Sequence, residues 1–291
     1  MLHEFVISVS SDEIEHVIEK LTAAGIINLY YEAPIEVTKV RNGYDFIETN
    51  KEIIELKIYG DPEEVPDLPE SYFNQLTQVL AIEKSAIHYQ KIEVDYSTPA
   101  FTDVDLGNGW VIAYPGSDED YTNKQVLKFD PQAAFGTGLH ETTQDCLRML
   151  LARDLNRCDV LDLGTGSGIL SVACARRGAK AVTAVDIEPV EREVNHNASL
   201  NDISTIQIVQ ADLFATDFNI DQTYDLIIIN IGADETIQLI HKHQLLAKGK
   251  SFLISGIVEW NCEQLRSLFT KAGFVIKDEQ QSNEWITLYI E

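Results

Sequence analysis

Apolar and polar residues alternate through positions 2–9, the two-residue period of a half-buried strand. Ser11 then stands where a helix cap belongs. Ile14, Val17, Ile18 and Leu21 follow at helical spacing, and Gly25 supplies a stop. Strand patterns recur at 26–31, 44–48 and 53–59. A proline-punctuated turn at 62–69, a helix over 71–83 and a strand over 87–94 complete the segment. A βαβ unit followed by a second βαβ unit with an extra strand predicts an α+β, ferredoxin-like domain. Its His3, His16 and His88 are scattered, so the segment holds no catalytic cluster and is suited to recognition or docking, or simply to supporting the second domain.

Residues 97–124 are broken by Pro99, Gly107, Gly109, Pro115 and Gly116, a linker pattern with a short strand at 110–114. This places an α+β domain at 1–95, a linker at 96–125 and a second domain at 126–291. In that second domain a strand at 126–129 leads to a glycine-bearing loop at 135–143. A helix comes next, carrying Cys146, Leu147, Leu150 and Leu151. Apolar strands at 160–163, 180–186, 205–209, 224–230 and 251–255 then alternate with helical patterns, including 190–200 and 259–272, the latter ending at Gly273. Runs at 274–277 and 285–290 form a closing hairpin. Seven strands, five of them in βα alternation, predict an α/β, doubly wound sheet with an antiparallel edge.

Candidate chemistry gathers at the strand ends of this sheet. The strand at 160–163 passes into Gly164, Gly166 and Gly168 and then a helix start carrying unpaired N–H groups, a turn that brings a ligand close to the backbone. Ile169 stands where a dinucleotide fingerprint has its third glycine, which argues against NAD. The next strand ends in Asp186, whose carboxylate can accept hydrogen bonds from both hydroxyls of a ribose. Asp212 lies just after another strand end and reads either as an acceptor for an adenine amino group or as a solvated loop acid. Asn230 closes a fully apolar strand on the ligand side, and its side-chain carbonyl can orient an attacking amine. The loop 135–143 holds two glycines and three threonines and reads equally as a cleft wall or as a helix cap.

Composition changes the picture in one respect. Of the net charge of −25, residues 1–100 carry −12, from 7 Lys/Arg against 19 Asp/Glu, and the remainder carries −13, from 15 against 28. An acidic surface in both halves argues against direct nucleic-acid binding and favours a basic protein partner, or serves solubility alone. Cys146, Cys158, Cys174 and Cys262 form no CxxC pair and read as buried free thiols, with no metal site. No apolar run approaches membrane-spanning length, and the start has no basic, apolar leader pattern, so a cytoplasmic location with no membrane partner is expected.

The run Phe135-Gly136-Thr137-Gly138-Leu139-His140-Glu141-Thr142-Thr143, ahead of Asp162-Leu163-Gly164-Thr165-Gly166-Ser167-Gly168-Ile169-Leu170 and then Asn230-Ile231, resembles the class I S-adenosylmethionine-dependent methyltransferases. Within that class it resembles the bacterial methyltransferases of large-subunit ribosomal protein eleven. The resemblance covers residues 126–291, with the two-domain plan matching in outline. It implies that Thr143, Gly164, Asp186 and Asn230 contact the S-adenosylmethionine cofactor, with Thr137, Gly166 and Asp212 near it. It also implies a reaction that moves methyl groups to lysine and N-terminal amines of one ribosomal protein, with Asn230 at the reacting centre. The sequence departs from the family's Thr-His-Pro-Thr-Thr at 139–143, from Asn-Ile-Leu at 230–232, and from a tryptophan-rich segment at 89–101. Methylation of another protein or a small amine, and a non-catalytic docking module, are the alternatives to this reading.

Overall fold

The computed structural model describes residues 2–49, 52–60, 69–93, 101–117, 120–132 and 136–291. The turn expected at 62–69 lies outside them up to residue 68, as do Val94, residues 96–100 of the expected linker, and Phe135. The chain divides into two compact units, Met1–Lys39 with Tyr44–Thr98 and Val40–Gly43 with Pro99–Glu291.

The smaller unit runs β1 (Leu2–Ser10), α1 (Ile14–Ala23), β2 (Leu29–Tyr31), β3 (Ile35–Val40), β4 (Gly43–Glu48), β5 (Ile53–Gly60), α2 (Glu70–Leu80) and β6 (Ile87–Ile92). Four of its strands form an antiparallel sheet in the order β2-β5-β1-β6, and β3 and β4 form a separate ribbon. Period-two patterning explains β5, where Ile54, Leu56 and Ile58 are buried and meet Phe5, Leu21 and Leu76 in the core.

Three local features differ from expectation. Ser11 does not cap α1; it lies in a 3-10 turn, and the helix starts at Ile14 without a side-chain cap. The strand expected at 26–31 begins only at Leu29. Ile26 belongs to the helix end instead, its N–H bonding the Leu21 carbonyl at 2.9 Å while Gly25, at φ +85, bonds Thr22, the paired closure of a Schellman motif. The strand β3 is an addition, nearly all exposed and so without an in-and-out pattern.

The larger unit begins with β7 (Val104–Asp105), β8 (Trp110–Ala113) and β9 (Gln125–Lys128), a three-stranded sheet. This corrects the linker expectation over the described part of 96–125. Leu106, Trp110, Ile112 and Tyr114 are all buried in a core shared with the helix that comes after β9, so Gly107, Gly109, Pro115 and Gly116 punctuate packed strands. Next come α3 (Glu141–Leu151), β10 (Asp159–Leu163), α4 (Ile169–Arg176), β11 (Ala181–Asp186), α5 (Glu191–Leu200), β12 (Ile206–Gln210), β13 (Tyr224–Asn230), α6 (Ala233–His243), β14 (Gly249–Val258), α7 (Cys262–Lys271), β15 (Ile276–Ser282) and β16 (Trp285–Ile290).

Seven of these strands make one sheet in the order β12-β11-β10-β13-β14-β16-β15. Neighbours from β12 to β14 are parallel, and β16 is antiparallel to both β14 and β15. The reversed strand is therefore internal, and β15 is the edge. Alternate residues serve opposite faces. Val160, Val182, Leu226, Ile228 and Leu253 pack beneath α3 and α4, while Leu161, Val185, Ile227, Ile229 and Ile254 pack against α6 and α7. Cover on both faces is why these strands read as largely apolar runs.

Strand order reverses at β10, which has β11 on one side and β13 on the other. Open α/β sheets bind ligands in the crevice such a reversal leaves at the carboxyl ends of the strands. The last register pair there is Leu163 with Ile229, so Gly164 and Asn230 come next, side by side across the reversal.

Candidate active site

At the end of β10 the three glycines take left-handed backbone, with φ of +76, +53 and +81 at Gly164, Gly166 and Gly168. A Cβ on Gly168 would stand 2.9 Å from both Val194 methyls, so this glycine lets α4 close on α5. Below the turn, Asp162 is buried and its Oδ2 accepts hydrogen bonds from Thr165 at 2.7 Å and Ser171 at 2.6 Å. Burial pushes its carboxyl group up, against the pull of those hydroxyls. Asp162 thus ties the turn to α4 from below.

From the neighbouring strand, Asp186 holds the same turn from the side. Its Oδ2 accepts from the Gly166 N–H at 2.7 Å and its Oδ1 from the Glu188 N–H at 3.0 Å. Each carboxylate oxygen offers two acceptor positions, so both can still take a ligand hydroxyl. The side chain is half-buried.

The opposite wall comes from the segment that enters α3. His140 caps this helix, its Nδ1 lying 3.3 Å from the Thr142 N–H and 2.8 Å from Thr142 Oγ1. Upstream, the Tyr114 hydroxyl donates to the Thr137 carbonyl at 2.8 Å, and the Ser167 hydroxyl donates to the Gly136 carbonyl at 2.7 Å. Burial pushes the Tyr114 phenol up to about 12, so it remains a donor throughout the neutral range. A raised phenol contributes stability at pH values below its unfolded-state pKa, and that contribution is lost as pH rises through the folded value. Tyr114→Phe is therefore expected to weaken binding of a ligand held against this wall about fivefold, the loss of one buried bond of about 1 kcal/mol. The pH profile between 6 and 9 should not change shape, which binding measurements across that range will check.

Between the two walls lies a cavity of about 620 Å³, within the usual range for small-molecule sites. Thr137, Thr143, Gly164, Gly166 and Asn230 all line it. Asp186 reaches it through Gly166. Asp212 does not line it; it is exposed past the end of β12, with Oδ1 accepting from the Phe214 N–H at 2.7 Å. His140, from the loop 135–143, lines it as well, and so do Gly256 and Trp285, which lie outside every segment that the sequence marked as candidate chemistry. The rings of His140 and Trp285 meet edge to face at 5.2 Å. Gly256 lies at φ +74 in an irregular part of β14, and a Cβ there would strike the Ile231 backbone. A glycine inside an otherwise apolar strand is the signal that marks such a bulge.

The cradle fits a nucleoside. Its turn admits close approach, its acid can take hydroxyls, and Ile169, Leu170 and Ile231 give the cavity apolar walls. Among the described residues, no group of three or more His, Cys, Asp or Glu side chains could hold a metal ion.

The model of one protein family, ribosomal protein L11 methyltransferase (PrmA), matches residues 2–291. The chain belongs to this family. The ribosomal protein L11 methyltransferase of Caldicellulosiruptor saccharolyticus is 32% identical over 295 residues, spanning 95% of this chain and 93% of that protein. The namesake from Listeria monocytogenes serotype 4b is 36% identical over 176 residues, 58% of this chain and 55% of its own length. A crystal structure of ribosomal protein L11 methylase from Lactobacillus delbrueckii subsp. bulgaricus superposes with a TM-score of 0.57 at 29% identity, covering 66% of this chain and 98% of that one. Membership in the L11 methyltransferase family makes this chain an S-adenosylmethionine-dependent protein methyltransferase.

One departure from the family motif has a visible structural use. Glu141, where the resemblance expects proline, accepts from Asn283 Nδ2 at 3.2 Å and so ties the start of α3 to the turn that leads into Trp285.

Proposed function

We propose that this cleft binds S-adenosylmethionine and that the protein transfers its methyl group to lysine and N-terminal amines of ribosomal protein L11. The observation that carries the reading is the convergence of the glycine turn, Asp186 and Asn230 at the point where strand order reverses. In this reading Gly164, Gly166, Thr137 and Thr143 surround the donor, Asp186 accepts from its ribose, and Asp212 accepts from its adenine at the outer end.

The donor supplies an electrophilic methyl on a sulfonium; everything else is positioning. The Asn230 side-chain carbonyl accepts a hydrogen bond from the incoming amine and turns its lone pair towards the methyl. Ile169, Leu170 and Ile231 keep water from that line of attack. A lysine in water, with a pKa of about 10.4, is mostly protonated, and desolvation in an apolar cleft lowers that value and favours the neutral nucleophile. The proton goes to solvent; the mechanism assigns no side chain as general base.

The smaller unit is assigned to recognition of the basic substrate, a role that suits the net charge of −12 over residues 1–100. Its strand order β2-β5-β1-β6, with two helices, supports a ferredoxin-like sandwich within 1–95. The donor-binding domain takes in the described strands β7 and β8, which lie ahead of residue 126 and whose side chains share its core. The acidic surface supports the absence of direct nucleic-acid contact. No described helix is long and apolar enough to cross a membrane. A cytoplasmic location follows from the substrate.

The test is label transfer from radiolabelled S-adenosylmethionine to a panel of L11, unmethylated ribosomes and an unrelated basic protein. Label confined to L11 supports the reading. Label on another protein or a small amine would move the acceptor, and donor binding without any label would leave a docking module.

A further inference from the structure

The helix α5 and the residue that closes it present two buried amides one turn apart, Asn197 and Asn201, to the end of β9 and the segment leaving it. Asn201 behaves like an added strand. Its Oδ1 accepts from the Lys128 N–H at 3.0 Å, and its Nδ2 donates to the Lys128 carbonyl at 2.7 Å and to Asn197 O at 2.8 Å. Asn197 reaches further. Its Oδ1 accepts from the Asp130 N–H at 2.8 Å, and its Nδ2 donates to the carbonyl of Ser167, inside the glycine turn, at 3.2 Å. His196 adds a contact at 3.0 Å to Asp130 Oδ2.

Ser167 completes a chain of bonds. Its main-chain oxygen is held by Asn197, while its hydroxyl holds the Gly136 carbonyl at 2.7 Å on the opposite wall of the cleft. Asn197 and Ser167 are both fully buried, so each bond is made away from water, where a missing partner is costly. One amide and one hydroxyl therefore fix the glycine turn both to the exit of β9 and to the wall that carries Thr137.

We propose that Asn197, acting through Ser167, is a positioning residue that sets the spacing of the two cleft walls and thereby how long the methyl donor and its demethylated product stay bound. The proposal rests on the reading that this cleft binds S-adenosylmethionine. Asn201 provides the internal control, since it grips the same strand and makes more hydrogen bonds but does not touch the glycine turn.

Trp285 lines the cleft and gives a fluorescence signal for the release of S-adenosylhomocysteine in stopped flow. Asn197→Ala and Ser167→Ala are expected to speed release about tenfold, each by breaking the link it makes in the chain of bonds between the glycine turn and the opposite wall. Asn201→Ala should stay within about twofold of the parent while losing at least as much thermal stability. Release rates that track melting temperature across all three variants, or that do not change, would overturn the proposal. Should Asn197→Ala fail to fold, Ser167→Ala decides by the same criterion. If the parent protein shows no ligand signal, the donor-site reading fails, and hydrogen exchange of the ligand-free protein still decides the positioning claim. In that measurement Asn197→Ala should raise exchange in a peptide covering 136–143 where Asn201→Ala does not, and equal exchange would count against it.

Discussion

Replacing Asn230 with alanine is expected to lower kcat for methylation of L11 about a hundredfold. The substitution leaves β13 intact, because the strand is held by Leu226 to Ile229, all buried, and Asn230 comes after its last pairing with β10. What is lost is the carbonyl that orients the amine, and misplacing a reacting group by about 1 Å costs on the order of 10² in rate. Asn230→Asp keeps an acceptor oxygen but adds a negative charge that favours the protonated amine, so it should also be slow, with partial recovery at higher pH. Donor affinity, measured separately by calorimetry, should change far less than kcat. A kcat within threefold of the parent would remove Asn230 from the reacting centre.

The second large effect is expected at Asp186. Its carboxylate holds the Gly166 and Glu188 N–H groups and is assigned both ribose hydroxyls. Alanine there removes two charge-assisted acceptors and frees the turn, a loss of about 3 kcal/mol, or about a hundredfold in donor Kd. Because the loss falls on binding, kcat at saturating donor should remain within a few fold. Asp186→Asn, which retains one acceptor oxygen, should lie between. Titration calorimetry with S-adenosylhomocysteine reads the difference directly, and an unchanged Kd in the alanine variant would contradict the assignment.

The sheet was the most legible part of the chain, for a physical reason. Strands covered by helices on both faces are apolar at most positions, so β10, β11, β13 and β14 stand out as runs ending in Gly164, Asp186, Asn230 and, within β14, a glycine. Elements whose burial is partial were harder to see. The edge strand β15, Lys-Asp-Glu-Gln-Gln-Ser over most of its length, alternates only between exposed and half-buried positions and was expected to end at 277. The helix α6 was implied by the βα alternation but was given no bounds of its own. Its buried Thr236 and His243 blur the apolar stripe that Leu239 and Ile240 mark.

The site divides along the same line. Gly164, Gly166, Asp186 and Asn230 come at strand ends in the sequence and could be found by their offset from an apolar run. Trp285 and Gly256 reach the cleft only because β16 inserts beside β14 and because β14 bulges. The insertion of β16 has no local motif, and the bulge is marked by Gly256 alone. The segment 101–117 misled for the opposite reason, since its glycines and Pro115 mark tight turns beside the buried strand β8 and suggested a linker.

The most direct measurement is a crystal structure of the protein with S-adenosylhomocysteine. The ligand is expected between the Gly164–Gly166 turn and the Thr137–Thr143 wall, with its ribose hydroxyls on Asp186 and its sulfur directed towards Asn230. Ligand density elsewhere on the molecule, or a ribose that leaves Asp186 without a partner, would contradict this placement of the donor.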